Sequence, residues 1–178
     1  MVTLVLFTLL FGVLEVARAM YLWNTLQEVT RRAASAAAAT DFSNVSAMDL
    51  VRQQAVFRSS AGPLLLGNPI TDAHIRIEYL SLTRDSNGAL APTLISPALL
   101  PACPARNMLN CATSPYGASC IRIVRARVCA TDGGAGACNA VPYAPLTMLP
   151  GLTMSLPTAT TVVKAGTLGY QPGDALCP

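Results

Sequence analysis

Six cysteines and one histidine are the residues whose types suggest chemistry. Zinc sites use close cysteine pairs together with a second pair or with histidines. No Cys-x-x-Cys pair occurs here, and His74 lies outside the cysteine-containing region, so a metal site is disfavoured. An even number of cysteines in a loop-rich region favours three disulfides, and hence an oxidising compartment outside the cytoplasm. The cysteines are Cys103, Cys111, Cys120, Cys129, Cys138 and Cys177.

The pairing of these cysteines is predictable only in part. Cys129 and Cys138 flank a turn that runs through Asp132–Gly136, and as cross-strand neighbours they are our first-choice disulfide. Cys120 and Cys129 lie an odd number of residues apart on one predicted strand, where they would point to opposite faces. A bond between those two is therefore not expected, and the other partners stay open.

The sequence shows no catalytic constellation. A Ser-His-Asp arrangement would depend on His74 alone, and the strand predicted around it places His74 on a polar face with Arg76 and Glu78. A solvated histidine is the simpler interpretation. Gly-x-Ser-x-Gly, His-Glu-x-x-His and a phosphate-binding glycine loop before a helix are all missing, and the acidic residues are dispersed. We therefore expect no enzymatic activity, no cofactor and no metal.

The composition indicates a chain with little polar surface. Of 178 residues, 52% are hydrophobic and 12% are charged, against roughly 25% charged in ordinary globular domains. Such a chain is expected to cover much of its surface with a membrane or with neighbouring subunits. The net charge is +3 and the basic residues are scattered, which disfavours a nucleic-acid-binding protein.

The first forty residues form a long helix candidate that begins with an uncharged apolar run. Glu15 and Arg18 are the only charged residues before Glu28, and Gly12 is the only glycine in this stretch. Apolar residues surround the predicted helix, which fits a membrane span better than the core helix of a soluble protein. A signal peptide is the alternative, but no basic residue precedes the apolar run.

Glu15 requires a partner, because an unpaired carboxylate in an apolar environment is costly. The candidates are Arg18 of the same or a neighbouring subunit, three residues along one helix face, and a neighbour's N-terminal amine. Tyr21 and Trp23 fall where an interfacial aromatic belt is expected.

The charges that flank the span conflict with the cysteines. Arg31 and Arg32 follow the span and nothing basic precedes it, which by the positive-inside rule would place the following domain in the cytoplasm. A processed or truncated N-terminus that has lost a basic leader would resolve the conflict, and in-frame coding sequence upstream would be its signature.

Beyond Trp23 the helix changes character. An apolar stripe that includes Leu22 and Leu26 gives way to the alanine-rich run at 33–39, whose small side chains let backbones approach closely. We expect this part to pack against other helices. A second helical stretch, with Ser46 as its cap, extends to about residue 58, or continues the first helix with a kink near 40–46.

The remainder, 59–178, is predicted to be a β-rich domain, which gives an α+β fold with an antiparallel sheet and disulfide-stabilised loops. Arg84 to Gly88 is a hairpin turn, and a proline-marked loop carrying Cys103 and Cys111 follows it. Arg122, Arg125 and Arg127 form a basic cluster that we interpret as a solvated face. Strands are predicted over Ala73–Thr83, Cys120–Ala130, Thr153–Ser155 and Thr158–Ala165.

Three N-terminal segments resemble those of TadE-like pilins, the pseudopilin-type subunits associated with tight-adherence pili. The segments are Leu10 to Arg18, Tyr21 to Gln27, and Arg31-Arg32-Ala33-Ala34. The family helix typically reads Phe-Gly-x-x-Glu-x-x-Arg, then an aromatic residue, Asn-x-x-Gln and an Arg-Ala-Ala segment. The segments 141–146 and 168–173 are similar to the family too, whereas the cysteine-containing middle is not covered.

This resemblance implies an inner-membrane precursor that a prepilin peptidase cuts and an assembly platform incorporates into an extracellular, adhesive filament with copies of itself or other pilins. The sequence departs from the family pattern because no basic leader and cleavage site precede Met1. The alternative is a membrane-anchored or secreted disulfide-rich binding module that does not polymerise; the alanine run favours the filament. The expected assembly residues are Phe11, Gly12, Glu15, Arg18, Tyr21, Leu22 and Leu26.

Overall fold

The computed structural model describes residues 1–132, 137–146 and 154–177. These residues form a long N-terminal helix followed by a domain with an antiparallel sheet, which confirms the predicted α+β class. The helices are α1 (Val2–Ala37), α2 (Val45–Ala55) and α3 (Pro104–Thr113), and the strands are β1 (Ile75–Arg84), β2 (Leu90–Leu94), β3 (Ile123–Val128) and β4 (Thr160–Lys164).

The end of α1 is held by the C-terminal tail. The carbonyl of Ala38 accepts hydrogen bonds from the backbone amides of Gly166 (3.0 Å) and Leu168 (3.1 Å). These bonds satisfy a carbonyl that the helix itself leaves unpaired. Gly169 has a φ of +82°, and a Cβ on it would lie 2.5 Å from the backbone nitrogen of Asp41, so only glycine fits this approach.

The cap of α2 differs from the predicted one. Asn44, rather than Ser46, is the N-cap, and its side chain accepts a hydrogen bond from the amide of Ala47 at 3.1 Å. Asparagine and serine are about equally good caps, so the sequence signal did not discriminate between them. The seven residues between Ala37 and Val45 separate α1 from α2 as two helices.

The sheet has the order β2-β1-β3-β4, and every adjacent pair is antiparallel. The predicted turn joins β1 to β2: the amide of Gly88 donates to the carbonyl of Asp85 at 3.0 Å. Strand β2 was expected to be loop because it contains Pro92. Proline is tolerated in β2 because β2 is an edge strand, which has a neighbouring strand on one side only.

Helix α3 also lies in the segment predicted to be loop. It begins at Pro104, and proline suits the first helical turn because its missing amide hydrogen has no intrahelical partner there. The prolines that suggested an irregular segment therefore mark a helix start and an edge strand. Of the predicted Thr153–Ser155 strand, Ser155 forms an isolated bridge with Pro142, whereas Thr153 and the glycines at 133, 134 and 136 lie outside the described residues.

The prediction that His74 lies on the polar face of β1 is wrong. His74 lies in a 3₁₀ turn just before the strand. Its Nδ1 accepts a hydrogen bond from the amide of Thr71 at 3.1 Å. Partial burial lowers the pKa of the imidazole. The side chain therefore closes a turn rather than standing in solvent beside Glu78.

Three disulfides stabilise the domain, and the first-choice pair Cys129–Cys138 is confirmed. Cys120 is bonded to Cys111, so the expected absence of a Cys120–Cys129 bond is confirmed. The third bond joins Cys103, at the start of α3, to Cys177 in the C-terminal tail, across 74 residues. It holds the tail near the end of α1.

The core lies between one face of α1 and the inner face of the sheet. Leu22 and Leu26 are fully buried against a cluster that includes Ile75 and Val128. Each buried leucine contributes roughly 1.5–3 kcal/mol to folding. Ala33, Ala34 and Ala37 are fully buried as well, so the alanine run packs within its own chain and does not by itself indicate contacts with other subunits.

Candidate functional site

The candidate site is the first half of α1 together with the two loops that meet it. Every residue from Met1 to Leu14 is exposed except Gly12, which is half-buried. The exposed fractions include 72% for Leu4 and 64% for Leu9. The best 18-residue window of α1 has a mean hydropathy of 2.0 and is 11% buried, so α1 can cross a membrane by length and composition.

Arg18 joins α1 to two loops of the folded domain. Its Nε donates to the carbonyl of Leu66 (3.1 Å), its Nη2 to that of Asn68 (2.8 Å), and its Nη1 to that of Ala144 (2.7 Å). The guanidinium has five N–H donors in a planar fork, which lets one side chain hold two separate loops. Arg18 therefore connects α1 to the segments 64–68 and 143–146.

Glu15 lies one turn before Arg18 and is 4% exposed. Its Oε1 lies 3.4 Å from Nη1 of Arg18 and accepts a hydrogen bond from the hydroxyl of Tyr143. Both of its oxygens lie 3.2 Å from the amide nitrogen of Leu146. Burial, together with donation to the carboxylate, raises the pKa of Tyr143 and keeps it a donor.

Glu15, Arg18 and Tyr143 form a unit that we call the clamp. The clamp is intrachain, so of the partners predicted for Glu15, the structure places Arg18 of the same subunit beside it. The Arg18 guanidinium also lies 5.2 Å from the centre of the Tyr143 ring, within range of a cation–π contact. Because the pair is buried, removing one member would leave a charge without compensation.

The other predicted assembly residues fall into two groups. Leu22 and Leu26 are fully buried in the core of their own domain, so their side chains do not form part of an exposed surface. Phe11 and Tyr21 are exposed, and the ring of Phe11 stacks on Phe7 with centroids 6.2 Å apart. Gly12 lines an apolar groove of about 340 Å³ beside α1. Their roles in assembly stay predictions.

Two loop leucines next to the clamp were missed by the sequence interpretation. Leu65 and Leu66 are 73% and 67% exposed, although a run of three leucines would ordinarily contribute to a core. The available signal was the position of this run between Pro63 and Gly67, two residues typical of a tight loop. Only Leu64 of the three is buried.

The predicted basic cluster on the sheet is partly neutralised. Glu78 on β1 accepts a hydrogen bond from Nε of Arg125 at 2.7 Å and another from Arg127. Arg122 precedes β3 and does not take part in this network. In the part of the chain that the structure describes, no group of three or more metal-ligating side chains occurs.

Comparison with known families gives a match that lies on α1. The family described as TadE-like protein matches residues 1–35, a segment that includes Phe11, Glu15 and Arg18. Comparison with curated proteins gave no match, and neither did comparison with solved structures. The match suggests a pilus-associated subunit of a structural, non-enzymatic kind, and it fits membrane anchoring through α1. The N-terminal helix of this chain is therefore a TadE-like helix, as the residue pattern had indicated.

Proposed function

We propose that this protein is a structural subunit that polymerises through α1 into an extracellular, pilus-like filament on the bacterial surface. The observation that carries the proposal is the apolar helical segment Met1–Leu14, which projects from the folded domain with its side chains exposed. At 1.5 Å per residue this segment is about 20 Å long. An apolar surface of this kind requires a membrane or neighbouring helices to cover it.

Two stages would cover this surface in turn. Before assembly, α1 lies in the inner membrane, and a prepilin peptidase and an assembly platform act on the precursor. After assembly, Phe7, Phe11 and the apolar residues around them pack against the same segments of neighbouring copies. The domain then faces outward, where its three disulfides are stable in an oxidising environment.

The clamp supports this proposal through geometry. Open helical assemblies repeat one head-to-tail contact, so each copy must present its surfaces in the same relative orientation. Arg18 binds backbone carbonyls of two loops, which fixes these loops relative to α1 at the base of the exposed segment. Loops that moved relative to α1 would not repeat the same contact.

A membrane-anchored binding module that does not polymerise is the second candidate, and two observations favour it. The buried alanines of the run at 33–39 pack within the chain, and Glu15 has partners in its own subunit. Neither feature therefore requires a second copy. The two candidates differ in what covers Met1–Leu14 in the mature protein: other copies in the first, lipid in the second.

Electron microscopy of sheared surface material, with mass spectrometry of the subunit's N-terminus, tests the proposal. Leu10 and Leu94 form a matched pair, because they are 49% and 45% exposed on α1 and on β2. We expect Leu10→Ala to reduce filament yield several-fold, because apolar contact area is lost, and Leu94→Ala to leave it unchanged. Full-length chain that accumulates in the membrane of wild-type cells without filaments would instead support the binding module.

A further inference from the structure

The loops that meet the clamp carry exposed leucines. We call Leu65, Leu66 and Leu146 the collar. Their exposed fractions are 73%, 67% and 73%, although the carbonyl of Leu66 and the amide of Leu146 are hydrogen-bonded to the clamp. Exposed leucines in ordered loops next to an apolar helix are typical of an interaction surface.

Hydrogen bonds set the height of the collar on α1. The carbonyl of Leu66 is bound by Arg18, and that of Leu65 accepts a hydrogen bond from the hydroxyl of Tyr21 at 3.3 Å. The amide of Leu146 is bound by Glu15. The collar therefore lies beside α1 from Glu15 onward, at the level where Tyr21 and Trp23 would form an aromatic belt. Leu65 also lines a groove with Asn24, Thr25 and Glu28.

Several polar backbone groups of these loops have hydrogen-bond partners within the protein. The carbonyls of Leu66, Asn68 and Ala144 are bound by Arg18, and the amides of Leu64 and Gly67 are bound within the loop. Irregular backbone is excluded from lipid mainly because its polar groups lack partners there. The segments 63–70 and 141–146 also contain no charged residue. The two main obstacles to contact with lipid, unpartnered backbone groups and charged side chains, are thus reduced in these loops.

The backbone of Leu66 adds an independent observation. Its φ is +54°, a left-handed conformation that is costly for a leucine. The strain is not offset by burial of the side chain, which stays exposed. Strained residues of this kind cluster at functional surfaces.

We propose that the collar inserts into the interfacial region of the lipid bilayer that α1 crosses, and that it seats the domain on the membrane before assembly. The inference rests on the membrane-anchored stage of the proposed function. The carbonyl of Leu65 accepts a hydrogen bond from the hydroxyl of Tyr21, so the lipids that surround α1 at this level would also meet Leu65. The clamp shields Glu15 and Arg18 at the same level, because both side chains are at most 9% exposed.

Tryptophan fluorescence in vesicles tests the inference on the full chain. Trp23 is the only tryptophan, so Trp23→Phe provides a background without tryptophan. Single tryptophans then replace Leu65, Leu146, Leu10 on α1 or Leu94 on β2. Each variant is placed in phosphatidylcholine vesicles with ordinary or brominated acyl chains. We expect brominated lipid to quench emission by about half or more at positions 65, 146 and 10, which contact lipid, and to leave position 94 unchanged.

Three outcomes overturn the inference, and they are distinguishable. Quenching at position 10 without quenching at 65 and 146 would show that α1 is in the membrane and that the collar is not. Absence of quenching at position 10 would refute membrane anchoring by α1, and the collar would fall with it. A blue shift at 65 and 146 that follows protein concentration rather than lipid bromination would assign the collar to contacts between copies. All four replaced leucines are at least 45% exposed, so the substitutions leave the core intact.

Discussion

Removal of Arg18 is the perturbation that most directly tests the clamp. Arg18→Met keeps the length of the side chain but deletes the hydrogen bonds to the carbonyls of Leu66, Asn68 and Ala144. It also leaves Glu15, which is 4% exposed, without its cation. Breaking a buried pair in this way typically costs 3–5 kcal/mol. Because Tyr143 and Leu146 continue to bind the carboxylate, we expect a loss of about 3 kcal/mol.

Denaturant unfolding of the full chain in detergent micelles, followed by the emission of Trp23, measures this loss as a shift of the transition midpoint. Arg31 supplies a matched control, because it is on the same helix and pairs with a glutamate three residues earlier, but its side chain is 67% exposed. We expect Arg31→Met to change the free energy of unfolding by less than about 0.5 kcal/mol, as exposed pairs contribute little.

The double variant Glu15→Gln/Arg18→Met separates the charge from the hydrogen bonds. The double variant removes the carboxylate charge that Arg18→Met leaves uncompensated, so it should recover part of the stability lost in Arg18→Met. We expect a coupling free energy between the two substitutions of about 1–3 kcal/mol. A cost for Arg18→Met below about 1 kcal/mol, similar to that of Arg31→Met, would refute our reasoning that the clamp holds the two loops on α1.

Three further predictions concern the domain. Gly169→Ala should destabilise it by about 1–3 kcal/mol in thermal unfolding, because the new Cβ meets the backbone of Asp41 at a positive φ; an unchanged midpoint would contradict the packing of the tail. Replacing the pair Cys103–Cys177 by serines should cost more than replacing Cys129–Cys138, about 4.5 against 2.7 kcal/mol, since loop closure is less favourable across 74 residues than across 9; equal losses in urea titrations would count against it. The pKa of His74 in the folded state is lowered below about 6.5, so the unfolded chain binds more protons at this residue. The contribution of the neutral His74 to stability is therefore present above pH 6.5 and decreases as the pH falls below it. His74→Asn should reduce that slope between pH 7 and 5, and an identical slope in the variant would assign it to other groups.

The local features of this protein were predictable because they depend on residues close together in the chain. The uninterrupted helix candidate became α1, and the hairpin turn at Asp85–Gly88 was read from its own residues. The Cys129–Cys138 pair spans only nine residues, so the strand and turn pattern was sufficient to find it. Prolines misled the prediction in β2 and α3, because the effect of proline depends on whether its amide would have had a partner.

Residue types and spacing alone determined the fold class, the oxidised cysteines and the need of Glu15 for a partner. The tertiary structure decided which groups meet that need. Arg18 binds carbonyls 48 to 126 residues away, and no periodicity in the sequence encodes such distances. The tertiary structure also decided that Leu22 and Leu26 belong to the core while Leu65 and Leu66 are exposed, because burial depends on which surfaces face each other across the fold.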